Sequence, residues 1–265
     1  MLKQRIITAL MIALPLLGVL FFAPALFTVG LFAMIVLLGA WEWSGLLALR
    51  SKWYRGVYLL LIFICLSIAW NYLRDSDALP LLLQVAWLWW LVVLLWIAFI
   101  PHHKSRAVAA LAGVLTLVPA WLSIALLVLL NPQWVLFLLL LVISVDVGAY
   151  LCGRRYGRTK LAPQVSPGKT WEGVLGGVLS SLVIMGLGAY WFDQFTVAFF
   201  VIGVLTVAVS IVGDLSESLF KRHAGLKDSG NILPGHGGVL DRIDSITAAA
   251  PVLVYGLMYL GVFVT

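Results

Sequence analysis

The chain has 265 residues, of which 63% are hydrophobic and 11% charged, where soluble domains run at roughly 45–50% and about 25%; its mean hydropathy is +1.09. Those values exclude a soluble globular protein and a disordered one. The 17 Lys+Arg outnumber the 11 Asp+Glu. In so apolar a chain that surplus reports membrane topology, because cytoplasmic loops collect Lys and Arg, and not contact with nucleic acid.

The apolar runs are continuous rather than alternating, which argues against a β-barrel and for helices of about 20 residues, whose backbone groups are satisfied internally in lipid. In chain order the predicted spans are 6–23, 26–48, 56–73, 79–100, 107–130, 133–152, 171–191, 195–217 and 245–264, with ends uncertain by a few residues. The first follows Lys3 and Arg5 and ends near Ala23-Pro24-Ala25, a pattern shared with cleaved leaders. With the N-terminus cytoplasmic, the inside segments are 1–5, 49–55, 101–106, 153–170 and 218–244, and they hold 16 of the 17 basic residues. Arg74, beside Asp75 and Asp77, falls outside. Gaining or losing one span in mid-chain would scramble this segregation. The expected fold class is therefore all-α: one polytopic integral membrane domain over 1–265, about nine transmembrane helices, N-terminus cytoplasmic and C-terminus outside. Residues 1–130 read as anchoring and packing helices. Residues 131–265 read as the catalytic half, with two long cytoplasmic loops at 153–170 and 218–244. Cys65 and Cys152 lie in or beside apolar runs and read as thiols without a role. Glu42 is expected near a cytoplasmic helix end, in reach of water.

Ionisable groups inside spans are expensive and so count as functional candidates. Asp146 lies within the sixth span, Asp214 and Glu217 end the eighth, and Asp241 and Asp244 precede the ninth. Asp214, Glu217 and Lys221 are spaced i, i+3, i+7, which places them on one helical face. Two carboxylate pairs on segments joined by one loop can converge on a hard cation such as Mg²⁺, which binds through one or two carboxylates plus substrate phosphates. Between the pairs lie Lys221, Arg222 and Lys227, with His236 and the glycines 230, 235, 237 and 238, and Arg242 sits within the second pair. Glycines let backbone approach a ligand closely, and successive N–H groups cradle anions. Acids for metal, bases for phosphate and glycines for approach together describe a site for a metal-bound polyphosphate. Taken singly, Lys221, Arg222 and Lys227 also suit topology signals or lipid anchors, and Asp241, Arg242 and Asp244 a charged helix start.

The earlier loop carries Gly168-Lys169-Thr170, but a P-loop would need glycine at 163, where this chain has Pro163. A helix start fits better, with Lys169 and Thr170 near the first N–H groups of the seventh helix, a place that favours anions. Ser166, Lys169 and Thr170 are thus candidates for phosphate or headgroup binding. His102 and His103 read as solvated interfacial residues.

Residues 218–244 run Ser218-Leu-Phe-Lys221-Arg222, four residues, Lys227-Asp228-Ser-Gly230-Asn-Ile-Leu-Pro234-Gly235-His236-Gly237-Gly238-Val-Leu-Asp241-Arg242-Ile-Asp244. This stretch resembles the signature of the phosphatidate cytidylyltransferase (CDP-diacylglycerol synthase) family at every fixed position. The Ser166-Pro167-x-Lys169-Thr170 and Asp146-x-x-Ala149-Tyr150 elements also match. In detail the resemblance covers 146–244; the first half resembles the family only in being apolar spans. It implies transfer of a cytidylyl group from CTP to phosphatidic acid, giving CDP-diacylglycerol and pyrophosphate. It implies a two-cation centre with Mg²⁺ on Asp214 and Asp241, K⁺ being the candidate for the second ion, with Asp244 and Glu217 as further ligands or support. Lys221, Arg222, Lys227 and Arg242 would contact phosphates. Ser166, Lys169, Thr170, His236, Gly237 and Gly238 would hold substrate. The implied setting is the cell inner membrane, multi-pass, with the active site on the cytoplasmic face and a homodimer as the expected assembly.

A cation transporter would spread its acids through mid-membrane and both halves, whereas these cluster in one half and at one face. A CDP-alcohol phosphotransferase would need D-G-x-x-A-R followed by G-x-x-x-D-x-x-x-D, which the chain lacks.

Overall fold

The computed structural model describes residues 2–49, 51–74, 78–99, 101–102, 105–233, 235 and 237–262. These form helices α1 (Leu2–Phe22), α2 (Ala25–Leu46), α3 (Lys52–Asn71), α4 (Ala78–Phe99), α5 (Arg106–Leu130), α6 (Pro132–Tyr156), α7 (Trp171–Trp191), α8 (Val197–His223) and α9 (Leu240–Tyr259). A 3₁₀ turn over Tyr72–Arg74 extends α3. Between α6 and α7, strands β1 (Lys160–Ala162) and β2 (Ser166–Thr170) pair antiparallel, Lys160 opposite Thr170 and Ala162 opposite Ser166.

The chain marks its helix starts locally. Ser51, Ser105, Asn131, Thr170 and Thr196 stand at the N-caps of α3, α5, α6, α7 and α8, and each accepts a hydrogen bond from a first-turn N–H. α2 and α9 differ: their N-caps are Pro24 and Val239, which offer no such acceptor. Helices α2 to α8 are each long and apolar enough to cross a membrane, so the protein is an all-α, polytopic membrane protein. In α1 the apolar stretch among the described residues is Ala13–Phe22. α9 opens on Asp241, Arg242 and Asp244.

One core runs through both halves of the chain. Within it α5 is the most buried of the apolar helices. Trp43 donates through Nε1 to Ala109 O at 2.9 Å and the Tyr58 hydroxyl to Ala110 O at 3.0 Å, pinning α2 and α3 to the start of α5. Large apolar side chains such as Phe63, Leu88, Val183 and Leu187 stay exposed on the outside, as a face that meets lipid requires. α6 and α7 approach along a seam of small residues: a Cβ at Gly148 would collide with Ser180 and one at Gly176 with Cys152. Ser180 Oγ donates across the seam to Ser144 O at 2.6 Å. Such close backbone approach is how apolar helices gain packing energy where no hydrophobic drive separates helix from lipid.

The functional segments gather at one end of the bundle. There His223 Nε2 lies 2.6 Å from Pro101 O, and α2 meets the start of α9 through Glu42 and Leu240. Arg55 donates to Ser44 Oγ at 2.8 Å and Trp41 O at 2.7 Å, closing the C-terminus of α2.

Candidate active site

The α6–α7 seam, the β-hairpin and α8 enclose a cavity of about 540 Å³, a size that takes a substantial part of a ligand. α6 supplies Asp146, Tyr150 and Arg154; β2 supplies Lys169 and Thr170 and the start of α7 Gly173 and Val174; α8 supplies Ile211 and Asp214. The hairpin is held by Glu172, which accepts from the backbone N–H of Arg158 and of Thr159, both at 3.1 Å. Trp171 N donates to Thr159 O at 3.0 Å. That geometry sets Lys169 over α8, where its ammonium pairs with Asp214 at 2.6 Å. Thr170 is buried and caps α7, accepting from Gly173 N at 3.1 Å. The expected helix start is thus present, preceded by a strand. Ser166 opens that strand.

A second polar group lies further along the same face of α8. Lys221 Nζ stands 3.2 Å from Glu217 and 2.7 Å from Asp241, so one ammonium bridges α8 and α9. Asp241 also accepts from Gly238 N at 2.7 Å and Ser229 N at 3.1 Å. Both its oxygens are engaged, and it organises the loop between α8 and α9. The loop is tightly wound: Gly235 and Gly237 have φ of +76° and +82°, which glycine alone adopts without strain, and Leu233 N donates to Gly237 O at 2.9 Å. Arg222, Lys227 and Arg242 are exposed around this core. Arg222 donates to Leu226 O at 3.5 Å within the loop. His236 lies outside the described residues.

α8 and α9 touch where the acids are. A Cβ at Gly213 would stand 2.7 Å from Asp244 O, so Asp214 and Glu217 lie alongside Asp244. Among the described residues no three Asp, Glu, His or Cys side chains converge closely enough to hold an ion; the Lys169 and Lys221 ammonium groups lie against the acids instead. The donor chemistry still suits a hard cation. Glu217 is buried, and neither of its oxygens has a hydrogen-bond partner among the described residues, leaving only the Lys221 ammonium to balance it. A buried carboxylate in that state is expensive unless a cation completes it.

The structure therefore brings Lys169 and Thr170 together with Asp214, and Lys221 together with Glu217 and Asp241. It adds three residues to the cavity that the sequence-predicted set lacked. Asp146 stood out as an intramembrane acid without an assigned role, and Tyr150 and Arg154 follow it at i+4 and i+8 on the same helix. Glu42 corrects an expectation. It is not at the water's edge but 3% exposed, accepting from Ser229 Oγ, Val239 N and Leu240 N. Its signal was an acid inside an apolar run.

An apolar helical bundle with an acid- and base-lined cavity at one end is the build of a polytopic membrane enzyme that handles anions. The chain belongs to the cytidylyltransferase family, whose model matches residues 3–260. It is 42% identical over 264 residues to the phosphatidate cytidylyltransferase of Pseudomonas aeruginosa, covering 95% of each chain. It is 40% identical over 286 residues to that of Haemophilus influenzae, covering 96% of this chain and 98% of the other. A Staphylococcus saprophyticus phosphatidate cytidylyltransferase is 47% identical over 124 residues, 46% of this chain and 47% of its own.

Proposed function

We propose that this chain transfers the cytidylyl group of CTP to phosphatidic acid, forming CDP-diacylglycerol and releasing pyrophosphate. The observation that carries the reading is the single face of α8, which puts Asp214 into the cavity with Lys169 and Lys221 into the core of the glycine loop. Two anion-handling elements thus share one wall, as a reaction between two phosphate compounds needs.

The attacking group is a phosphate oxygen of phosphatidic acid. It bonds to the α-phosphorus of CTP as the bond from that phosphorus to the α,β-bridging oxygen breaks, and pyrophosphate leaves with that electron pair. The nucleophile is already anionic, so no strong base is required. The work of the protein is to bring two anions together and to stabilise charge on the leaving group. Lys169 and Arg154 line the cavity and suit the phosphatidate headgroup, with Tyr150, Ser166 and Thr170 beside them. Lys221, Arg222, Lys227 and Arg242, with the N–H groups of Gly237 and Gly238 and the side chain of His236, suit the triphosphate. Mg²⁺, held by Asp214, Glu217 and Asp244, with Asp241 able to join by releasing Lys221, would supply charge neutralisation of the phosphates; K⁺ is the candidate for a second ion.

The same proposal has nine helices cross the cell inner membrane with the N-terminus and the cavity on the cytoplasmic side, where CTP arrives from water and phosphatidic acid from lipid. A homodimer is its expected assembly. The test is turnover by detergent-purified protein with phosphatidic acid, CTP and Mg²⁺, following pyrophosphate and the lipid product together. Both products appearing only with lipid and metal support the reading. CTP and Mg²⁺ binding without either product would mean a different acceptor.

A further inference from the structure

Glu42 lies on α2, more than 180 residues before the loop it touches. It is 3% exposed, and its two oxygens accept three hydrogen bonds: Ser229 Oγ at 3.1 Å, Val239 N at 3.1 Å and Leu240 N at 2.8 Å. The last two donors are the N–H groups of the α9 N-cap and of its first residue. α3, α5, α6, α7 and α8 each supply their own Ser, Thr or Asn cap, whereas α9, like α2 with Pro24, has no side-chain cap of its own. A carboxylate from α2 fills that place, and the positive end of the α9 dipole favours its charge. The loop is shaped to admit it: a Cβ at Gly230 or at Gly238 would collide with the Glu42 carboxylate. Ser229 then joins two acids. Its hydroxyl donates to Glu42 while its N–H donates to Asp241, which in turn holds Lys221.

We propose that Glu42 is a positioning residue for the reaction: it fixes the 228–241 loop and the first turn of α9, and through Ser229 the Asp241 carboxylate and Lys221, without touching either substrate. The inference rests on the reaction proposed above and assigns to the N-terminal helices a part in the active site.

The test compares Glu42→Ala, Glu42→Asp and Glu42→Gln with the parent protein in detergent, by amide hydrogen exchange over 228–241 and by kcat and KM per folded enzyme, the folded fraction being read from melting curves. Exchange at the amides of Val239 and Leu240 is expected to speed up by at least about tenfold in Glu42→Ala, because their buried hydrogen bonds to a charged acceptor are lost, and the Ser229 amide should follow as its hydroxyl loses Glu42 and its hold on Asp241 loosens. kcat should fall and KM for CTP should rise. Glu42→Asp keeps a carboxylate and should recover part of both readouts. Glu42→Gln should recover less, because in either orientation its NH₂ group faces a backbone N–H donor. Unchanged exchange in Glu42→Ala overturns the inference. So does faster exchange with kcat and KM per folded enzyme unaltered, which would make Glu42 a fold residue only. If Glu42→Ala does not fold, Ser229→Ala cuts the Glu42–Ser229 bond, and normal kinetics there would overturn the link to Asp241 and Lys221, while parent-like exchange and kinetics in Glu42→Gln would overturn the hold on α9. Absence of turnover in the parent protein would instead sink the proposed reaction, while the exchange measurement still judges Glu42.

Discussion

Asp241 is the hub of the loop between α8 and α9. It accepts an ammonium and two backbone N–H groups, so its negative charge is what keeps Lys221, Ser229 and Gly238 in register. Asp241→Asn removes that charge and turns an NH₂ group toward donors. Turnover should fall at least about 100-fold, the scale of losing a preorganised charge-stabilising group, with expression and membrane insertion intact. Near-normal activity would remove Asp241 from the site. Lys169 is the corresponding test in the cavity. With its ammonium on Asp214, Lys169→Met should lower kcat/KM for phosphatidic acid by about tenfold or more, and Lys169→Arg less, since a cation–phosphate contact of this kind is worth about one charged hydrogen bond. Equal kcat/KM in Lys169→Met and the parent would show that the pair only braces the hairpin. At this scale the sequence was informative wherever an acid interrupted an apolar run, as at Asp146, Asp214 and Glu217. It misled at Glu42, because proximity to a helix end does not reveal that another helix starts on top of it.

At the scale of elements, each of the nine predicted spans falls on an α-helix of the described residues, seven of them long and apolar enough to cross a membrane, but hydropathy missed what polar residues add to them. α8 continues to His223 and α6 to Tyr156, beyond the predicted ends at 217 and 152. The extra turns carry Arg154 and Arg155 on α6 and Lys221, Arg222 and His223 on α8, basic side chains at which a measure of apolarity ends a span. The hairpin at 160–170 also escaped, since two short polar strands carry no alternating pattern long enough to register. The α6–α7 seam was written in plain view as Gly148, Gly153, Gly173, Gly176 and Gly177, but which glycines touch depends on helix rotation. Two positions on α7 separate contact from composition. A Cβ at Gly176 collides with Cys152, whereas one at Gly186 meets nothing within 4 Å. Gly176→Val should cost about 1–3 kcal/mol, the usual penalty of overpacking, and lower both the melting temperature and turnover, since the seam positions Asp146 against Lys169. Gly186→Val should stay within about 0.5 kcal/mol of the parent. Equal melting curves for the two variants would mean that the helices are not in backbone contact.

Across the whole molecule, α2 to α8 are each long and apolar enough to cross a membrane, and nine crossings require α1 and α9 as well. The first turn of α9 carries three charges, so composition alone does not mark it as a span. Yet Ala248, Ala249, Ala250, Leu253, Val254 and Leu257 are at most 1% exposed, and Ala248 packs at Gly213 of α8. A helix enclosed by other helices need not be apolar enough to face lipid, because its polar first turn meets Lys221, Ser229 and Glu42 rather than hydrocarbon. Nine crossings with the N-terminus inside also leave 16 of 17 basic residues on the cytoplasmic side, and any even number of crossings places the two chain ends on the same side. A reporter fused after Thr265 reads this parity directly. With nine crossings, alkaline phosphatase at that position should be active and a fluorescent protein dark. The reverse result would leave α9, or one other helix, short of a full crossing and break the nine-span topology. Lys104 gives the same argument a local test. It lies outside the described residues and reads as a topology signal in the short loop before α5. Lys104→Ala should leave turnover within a few-fold of the parent, because the neighbouring Arg106 still holds that loop inside. A large loss with unchanged topology would instead place Lys104 at the substrate.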